Sequence, residues 1–299
     1  MRSEKITLGF IGAGRVGTGL ASAFVRAGVK VVAVASRSVA SAQTLAKRVP
    51  GARVCAPQEV ADRADLVFLT VPDDAIEAAA SRIKWRAGSA CVHCSGAAEL
   101  DALKKAVSEG ALAGGFHPLH MFGEAGESPG ELAGCAIALA GPDALVEKLE
   151  RLARALDARP LRLPEGGRAL YHAAANFSGA FVIALIQETI ALWGKLGIAE
   201  TDALAALLPL LRGTADNVEK LGAAGGLGSA VARGDAGTLR KHLDVLAKEA
   251  PDSLELYRIL SLRTIPLALA KGTLKPETAK EIAALLRSRG VSPPEKSDT

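Results

Sequence analysis

Ile6-Thr7-Leu8-Gly9-Phe10-Ile11-Gly12-Ala13-Gly14-Arg15-Val16-Gly17 decides the fold. Ile6 to Ile11 is an apolar run of strand length. Glycines follow at the first, third and sixth positions of a loop, and Arg15 to Arg26 then reads as a helix stopped at Gly28. Lys30 to Ala35 is a second strand, so the loop sits inside a strand–helix–strand unit. Each glycine has a separate physical task. Gly12 permits the tight turn, Gly14 lets a pyrophosphate approach the backbone, and Gly17 lets helix and strand pack closely. The first helical turn, with Arg15 and Val16, offers free N–H groups and a positive dipole end to phosphate. The pattern predicts a dinucleotide site.

The end of the second strand selects the dinucleotide. NAD-specific folds place Asp or Glu there to accept from the ribose 2′-hydroxyl. This chain instead has Ala35-Ser36-Arg37-Ser38. No carboxylate is present to repel a 2′-phosphate, Arg37 can pair with it, and Ser36 and Ser38 can donate to it. NADP(H) is the expected cofactor.

Outward from this unit the strand–helix alternation continues. Strands are expected at Arg53 to Ala56, Asp65 to Val71, Ala90 to His93 and Leu112 to Phe116. Ser38 caps a helix running to Arg48, Asp73 caps one from Asp74 to Ile83, and a further helix runs from Ala98 to Val107. The strands are apolar on both faces, as in a sheet covered by helices. Cys135 to Ala140, a helix from Asp143 to Leu156 and Pro160 to Leu163 complete an α/β doubly wound domain over residues 1–164. Past Pro164-Glu165-Gly166-Gly167 the β-type runs vanish. Helices are expected at 168–196, 201–220, 236–250, 254–270 and 276–287, making an all-α domain over residues 165–287. Residues 288–299, with Pro293-Pro294 and several charges, read as a disordered tail.

Composition bounds the function. The 299 residues are 49% hydrophobic and 23% charged, suiting a globular chain with a real core, and at 4% aromatic that core must rely on Ala, Leu and Val. The net charge of +4 comes from scattered basic residues, which argues against nucleic-acid binding. Met1 to Lys5 leads straight into the first strand without a signal-type apolar stretch, and Phe177 to Ile186 is too short to cross a bilayer, so a cytoplasmic location away from membranes is expected. Cys91-Val92-His93-Cys94 has C-x-x-C spacing but no second ligand pair, so buried cysteines are expected and no metal.

Several further motifs stand in a familiar order: Leu69-Thr70-Val71-Pro72-Asp73-Asp74-Ala75-Ile76, His93-Cys94-Ser95-Gly96-Ala97, Phe116-His117-Pro118-Leu119, Tyr171-His172-Ala173-Ala174-Ala175, and Ala232-Arg233-Gly234-Asp235 followed by His242-Leu243. With the glycine loop they resemble the Rossmann-like NADP oxidoreductases that carry a helical C-terminal domain of unknown function. These belong to the wider superfamily of 6-phosphogluconate and β-hydroxyacid dehydrogenases, with ketopantoate, pyrroline-5-carboxylate and prephenate-type relatives. The resemblance implies a helical domain that forms a homodimer and closes over the nicotinamide. It departs from the family pattern at Cys94, His120 and Ser178-Gly179-Ala180.

Hydride exchange with a carbonyl or imine needs a proton donor or acceptor. Related dehydrogenases use Lys-x-x-x-Asn on the first long helix of the second domain, and the corresponding residues here are His172 and Asn176, on one helix face. His172 is the candidate acid/base and Asn176 the substrate-orienting residue. His117 and His120 flank Pro118 at a strand end, where open α/β sheets form ligand crevices, and either could bind an anionic substrate or act as the acid. Ser95 and Gly96 lie at another strand end and would contact nicotinamide or substrate, while Val71 and Pro72 line the cofactor cleft. Asp235 reads as a helix N-cap and Arg233 as a possible anchor for a substrate carboxylate. The expectation is an NADP(H)-dependent oxidoreductase acting on a small carbonyl or imine bearing a carboxylate, in ketopantoate-reductase or prephenate-dehydrogenase fashion. The alternative is a non-catalytic NADP-binding sensor.

Overall fold

Alternation of buried side chains along short strands builds a sheet with a core on each face. The computed structural model describes residues 6–123 and 132–288, and the expected tail beyond Ser288 lies outside them. In chain order the first elements are β1 (Thr7–Ile11), α1 (Arg15–Arg26), β2 (Lys30–Ala35), α2 (Val39–Arg48), β3 (Arg53–Val54), α3 (Pro57–Arg63) and β4 (Leu66–Leu69). Then come α4 (Ile76–Ser81), β5 (Ala90–His93), α5 (Lys104–Ser108), β6 (Leu112–Pro118), β7 (Ala136–Ala140), α6 (Asp143–Ala155) and β8 (Arg159–Arg162). The strands form one sheet in the order β3-β2-β1-β4-β5-β6-β7-β8. Strand order reverses between β1 and β4, which opens a crevice at their C-terminal ends.

Leu66 and Phe68 of β4 join one core with residues of α1, α2 and α6. Val67 and Leu69 join the other with residues of α3, α4 and α5. The scarce aromatic residues are concentrated in the first core. Phe68 stacks on Phe10 (5.1 Å) and Phe24 (5.5 Å) and meets Phe116 edge-on (5.3 Å). All four rings are fully buried, each contributing about 2–3 kcal/mol by removal from water.

Several sequence expectations are refined. β6 runs two residues past Phe116 because it pairs antiparallel with β7, His117 opposite Ala138 and Pro118 opposite Ile137. The sheet is therefore mixed, with β8 parallel to β7. α3 was not foreseen from the sequence; Pro57 opens it at a position where a missing N–H costs nothing. Residues 98–107 form a 3-10 turn over Leu100–Leu103 before α5, not one helix. The expected cap by Asp73 is also corrected. Residues Asp73–Ala75 form a 3-10 turn with no side-chain cap, and the Asp73 carboxylate accepts from Ser95 instead.

The expected helix from Arg168 to Leu196 is two helices, α7 (Arg168–Asn176) and α8 (Ala180–Gly194). Between them the N–H groups of Phe177, Ser178 and Gly179 bond to carbonyls three residues back, tightening the backbone into a turn. Taken together, Arg168–Gly194 is long and apolar enough to cross a membrane by length and composition. The break leaves α8 with 15 residues, about 22 Å at 1.5 Å per residue against a hydrocarbon core of about 30 Å.

The chain forms two compact units, Met1–Gly179 and Ala180–Thr299, so α7 belongs with the sheet. The second unit contains α8, α9 (Glu200–Gly226, with Pro209 inside and a break at Gly222), α10 (Ala236–Glu249), α11 (Pro251–Lys271) and α12 (Pro276–Arg287). Its principal core joins Leu239, Leu243, Ile265, Ala268 and Ile282. Asp235 caps α10 as expected, accepting from the Thr238 N–H at 2.9 Å.

Candidate functional site

The glycine loop lies at the C-terminal end of β1. Gly12 has φ 119° and donates to the Ala35 carbonyl of β2 at 2.8 Å. Its own carbonyl accepts from Thr70 Oγ1 at 2.8 Å, at the end of β4. A Cβ on Gly17 would stand 2.3 Å from Gly12 O and 2.6 Å from Thr70 Oγ1, so α1 approaches the strand ends only with glycine there. Around Gly14 a Cβ would meet nothing within 4 Å. Gly14 is the N-cap of α1, and no side chain caps that helix. The first turn of α1 therefore has no side-chain cap at its exposed Gly14–Arg15 end, where a phosphate would satisfy the free N–H groups.

An open cleft of 520 Å³ adjoins the loop, lined by Ala13, Gly14, Ser36, Arg37, Ser38 and Ser41. Arg37 is exposed and has no ion-pair partner among the described residues. Ser38 caps α2 by accepting from the Ser41 N–H at 3.2 Å, which leaves its hydroxyl proton available. The glycine loop and Ser36-Arg37-Ser38 thus share one cleft, and this donor set fits NADP(H). Val71 packs partly buried against the second core and Pro72 precedes the 3-10 turn, both at the β4 end.

A second cluster gathers beyond the ends of β4, β5 and β6. Ser95 Oγ donates to Asp73 Oδ2 at 2.6 Å and accepts from the Ala97 and Ala98 N–H groups (3.2 and 2.9 Å). Above Gly96 stand two histidines: a Cβ there would lie 2.3 Å from His172 Cδ2 and 2.9 Å from His117 Nε2. The His117 and His172 rings are perpendicular at 5.6 Å, and His117 Nδ1 lies 3.1 Å from Tyr171 Oη. Burial, reinforced by the charges of His172 and Arg168, lowers the His117 pKa to about 4 against the opposing pull of Asp73. His117 is therefore neutral near pH 7.

Arg168 opens α7 and is fully buried. Its Nε donates to Ala98 O at 2.8 Å and its Nη2 to Ser95 O, while its backbone N–H bonds Glu99 Oε1 at 3.0 Å. Nη1 lies over Gly115, where a Cβ would come within 2.4 Å, and has no partner among the described residues. His93, opposite Gly115 in the β5–β6 register, is also fully buried, and burial followed by the Arg168 charge lowers its pKa to about 4.

The structure thus brings together four of the expected residues: Ser95, Gly96, His117 and His172. Asn176 lies one turn beyond His172, with its amide nitrogen donating to the His172 carbonyl at 3.0 Å. His120 packs edge-on against Phe122 (5.0 Å) instead. Cys91 and Cys94 are buried in the cores on opposite faces of the sheet, and burial raises both thiols far above their usual range. Among the described residues no group of three or more His, Cys, Asp or Glu is placed to hold a metal. Sequence reasoning missed Asp73, Tyr171 and Arg168 as members of the site. Arg168 carried a legible signal, since a cation in the first turn of a helix opposes the dipole and needs a local reason.

Comparison with known proteins bears on the fold and the cofactor. Residues 1–118 match the model of a Rossmann-like domain, and residues 135–264 match a domain of unknown function, DUF2520. A candidate NADP oxidoreductase from Bacteroides fragilis is 26% identical, with 88% of this chain and 98% of that one covered and a TM-score of 0.67. A protein from Thermotoga maritima is 23% identical over 89% of this chain and 99% of its own, with a TM-score of 0.73. A reductive aminase from Aspergillus terreus, solved with NADPH and ethyl-5-oxohexanoate, is 18% identical over 94% and 92% of the two chains, with a TM-score of 0.58. The latter two share the fold. No curated protein matches the sequence.

Proposed function

We propose that this chain, a Rossmann-like domain joined to a DUF2520 domain, is an NADP(H)-dependent oxidoreductase acting on a small carbonyl or imine substrate. The observation that carries this reading is a juxtaposition within the first unit. A pyrophosphate loop with an adjoining cation and a cluster of proton-handling side chains lie beyond the C-terminal ends of the strands of one sheet. The cofactor, when bound, supplies or takes up the hydride. The first-turn N–H groups of α1 hold its pyrophosphate, and Ser36, Arg37 and Ser38 hold its 2′-phosphate. Ser95 and Gly96 form the floor beneath the reacting atoms. His172 exchanges the proton, and neutral His117 hydrogen-bonds the substrate. The relatives support the cofactor, since the Bacteroides protein is described as a candidate NADP oxidoreductase and the Aspergillus enzyme was solved with NADPH.

Two finer elements belong to the same reading. The chain forms a homodimer through its helical unit, where α8 buries only Ile190 and exposes Ile183 and Leu185; sedimentation at micromolar concentration should give twice the 30.7 kDa chain mass, and a monomer would refute it. A cytoplasmic setting suits the four free cysteines. The reaction is tested with His172→Ala. NADPH oxidation against a panel of carbonyls, with and without amines, should be lost while NADPH still binds. If the wild-type protein binds NADPH yet turns over nothing on the panel, the sensor reading takes its place.

A further inference from the structure

We propose that Tyr171 is a positioning residue that fixes the tautomer of His117, so that His117 presents a neutral Nε2–H over Gly96 to the oxygen or nitrogen of the substrate. The substrate part rests on the oxidoreductase reading above; the tautomer does not.

A hydroxyl–imidazole contact can be donated from either side, and the proposed arrangement has the hydroxyl as donor. Tyr171 Oη is 3.1 Å from His117 Nδ1, with the rings nearly perpendicular at 83°. Burial raises the Tyr171 hydroxyl above its usual pKa, so it keeps its proton. In the proposed arrangement that proton is donated and Nδ1 accepts it. A neutral imidazole carries one ring proton, so the proton of His117 resides on Nε2. That nitrogen is the one aimed over Gly96, 2.9 Å from where a Cβ would stand. Glycine is needed at 96 because a side chain there would collide with both histidine rings.

The surrounding charges hold His117 in this state. His172 and Arg168 both oppose a second proton, and Asp73 is the one group that favours it. The Asp73 carboxylate is engaged by Ser95 Oγ. Arg168 cannot swing away, because it is buried and tied to the Ser95 and Ala98 carbonyls. His93, the remaining histidine facing Arg168, is itself neutral, with its pKa near 4. A neutral donor suits hydride transfer to a carbonyl or imine. It stabilises negative charge or a lone pair developing on the acceptor atom without surrendering its own proton. Proton delivery is left to His172, whose ring also stands over Gly96. Tyr171 and His172 are consecutive on α7, so one helical turn sets both the orientation of one histidine and the position of the other.

The test is the ring-nitrogen NMR spectrum of protein labelled with 15N-histidine, with His117 assigned through His117→Asn. The expected spectrum at pH 7.5 shows His117 with a protonated Nε2 and a pyridine-like Nδ1, unchanged down to pH 5. In Tyr171→Phe the Nδ1 resonance should move toward the averaged position of two exchanging tautomers. In that variant kcat should fall while the Kd for NADPH stays constant. A wild-type His117 that is protonated on Nδ1, or on both nitrogens, at pH 7.5 overturns the proposal, as does a Tyr171→Phe spectrum identical to wild type. The wild-type spectrum decides even if the variant fails to fold. It also separates this proposal from the reaction, because an inactive protein with the Nε2–H tautomer would refute only the oxidoreductase reading.

Discussion

Alanine at Gly14 and alanine at Gly17 should fail in opposite ways, although three residues separate them. Gly14 has φ −82° and ψ −169°, a conformation open to any residue, and its Cβ would touch nothing within 4 Å. Replacing it stiffens the unfolded chain by about 0.4–1 kcal/mol, while Ala is a poorer N-cap than Gly by up to about 1 kcal/mol. The two effects nearly cancel, so the melting temperature should stay within about 2–4 °C of wild type. Cofactor binding should collapse, because the new methyl occupies the path by which phosphate reaches the N–H groups of α1. Losing two charge-assisted bonds of roughly 1.5–3 kcal/mol each weakens binding by about 10²–10⁴-fold. Gly17→Ala instead drives a methyl to 2.3 Å from a backbone carbonyl and 2.6 Å from Thr70 Oγ1. Forced overpacking of that kind costs roughly 1–3 kcal/mol or more, and it strikes the 2.8 Å bond from Thr70 to Gly12. The assays are thermal melts without ligand and calorimetric titration with NADPH. A Gly14→Ala protein that binds NADPH normally would refute the pyrophosphate assignment, and a Gly17→Ala protein that melts like wild type would refute the packing argument.

Arg37→Asp should reverse cofactor preference, weakening NADPH at least tenfold while sparing NADH, because an exposed charge-assisted contact of about 1.5 kcal/mol is exchanged for repulsion; unchanged NADPH affinity would disprove the 2′-phosphate contact. Acid should destabilise the first unit well before its carboxylates titrate. His93 and His117 have folded pKa values near 4 against 6.5 in the free side chain, so their contribution is complete above pH 6.5 and is lost as pH falls from 6.5 toward 4, on the order of 2–3 kcal/mol per ring. Urea unfolding at pH 7.5 and pH 4.5 measures this, and equal midpoints would show that the rings are not buried neutral.

The sheet was legible because its signals are local. The run Ile6 to Gly17 carries strand, turn and helix start in twelve consecutive residues, and Ser36-Arg37-Ser38 follows at the position the β–α–β geometry requires. The errors fall where a distant partner decides. Asp73 has the composition of an N-cap, but Ser95, twenty-two residues away, takes its carboxylate. β6 gains His117 and Pro118 only because β7 pairs beside them. Ser178-Gly179 breaks a stretch whose apolar pattern reads as one helix. Of the site, His117 and His172 were visible as residue types suited to proton transfer, whereas Tyr171 shows its part only once its hydroxyl is seen against His117 Nδ1.

Arg168 ties these levels together. A guanidinium in the first turn of a helix opposes the dipole, and burying it without a direct carboxylate partner on its side chain costs several kcal/mol more. Two backbone carbonyls, from Ser95 and Ala98, receive it, and Glu99 binds the backbone N–H of the same residue. Those three residues belong to the loop after β5 that carries Gly96. His172 is four residues further along α7, one turn away on the same face. The buried cation therefore clamps the loop that carries Gly96 to the helix that bears His172. The contact between Gly96 and His172, with a Cβ position only 2.3 Å from the ring, follows from a single rigid piece built of loop and helix. The same clamp explains why α7, which by sequence opens the helical half of the chain, packs with the sheet: its first residue is bonded into the loop that follows β5.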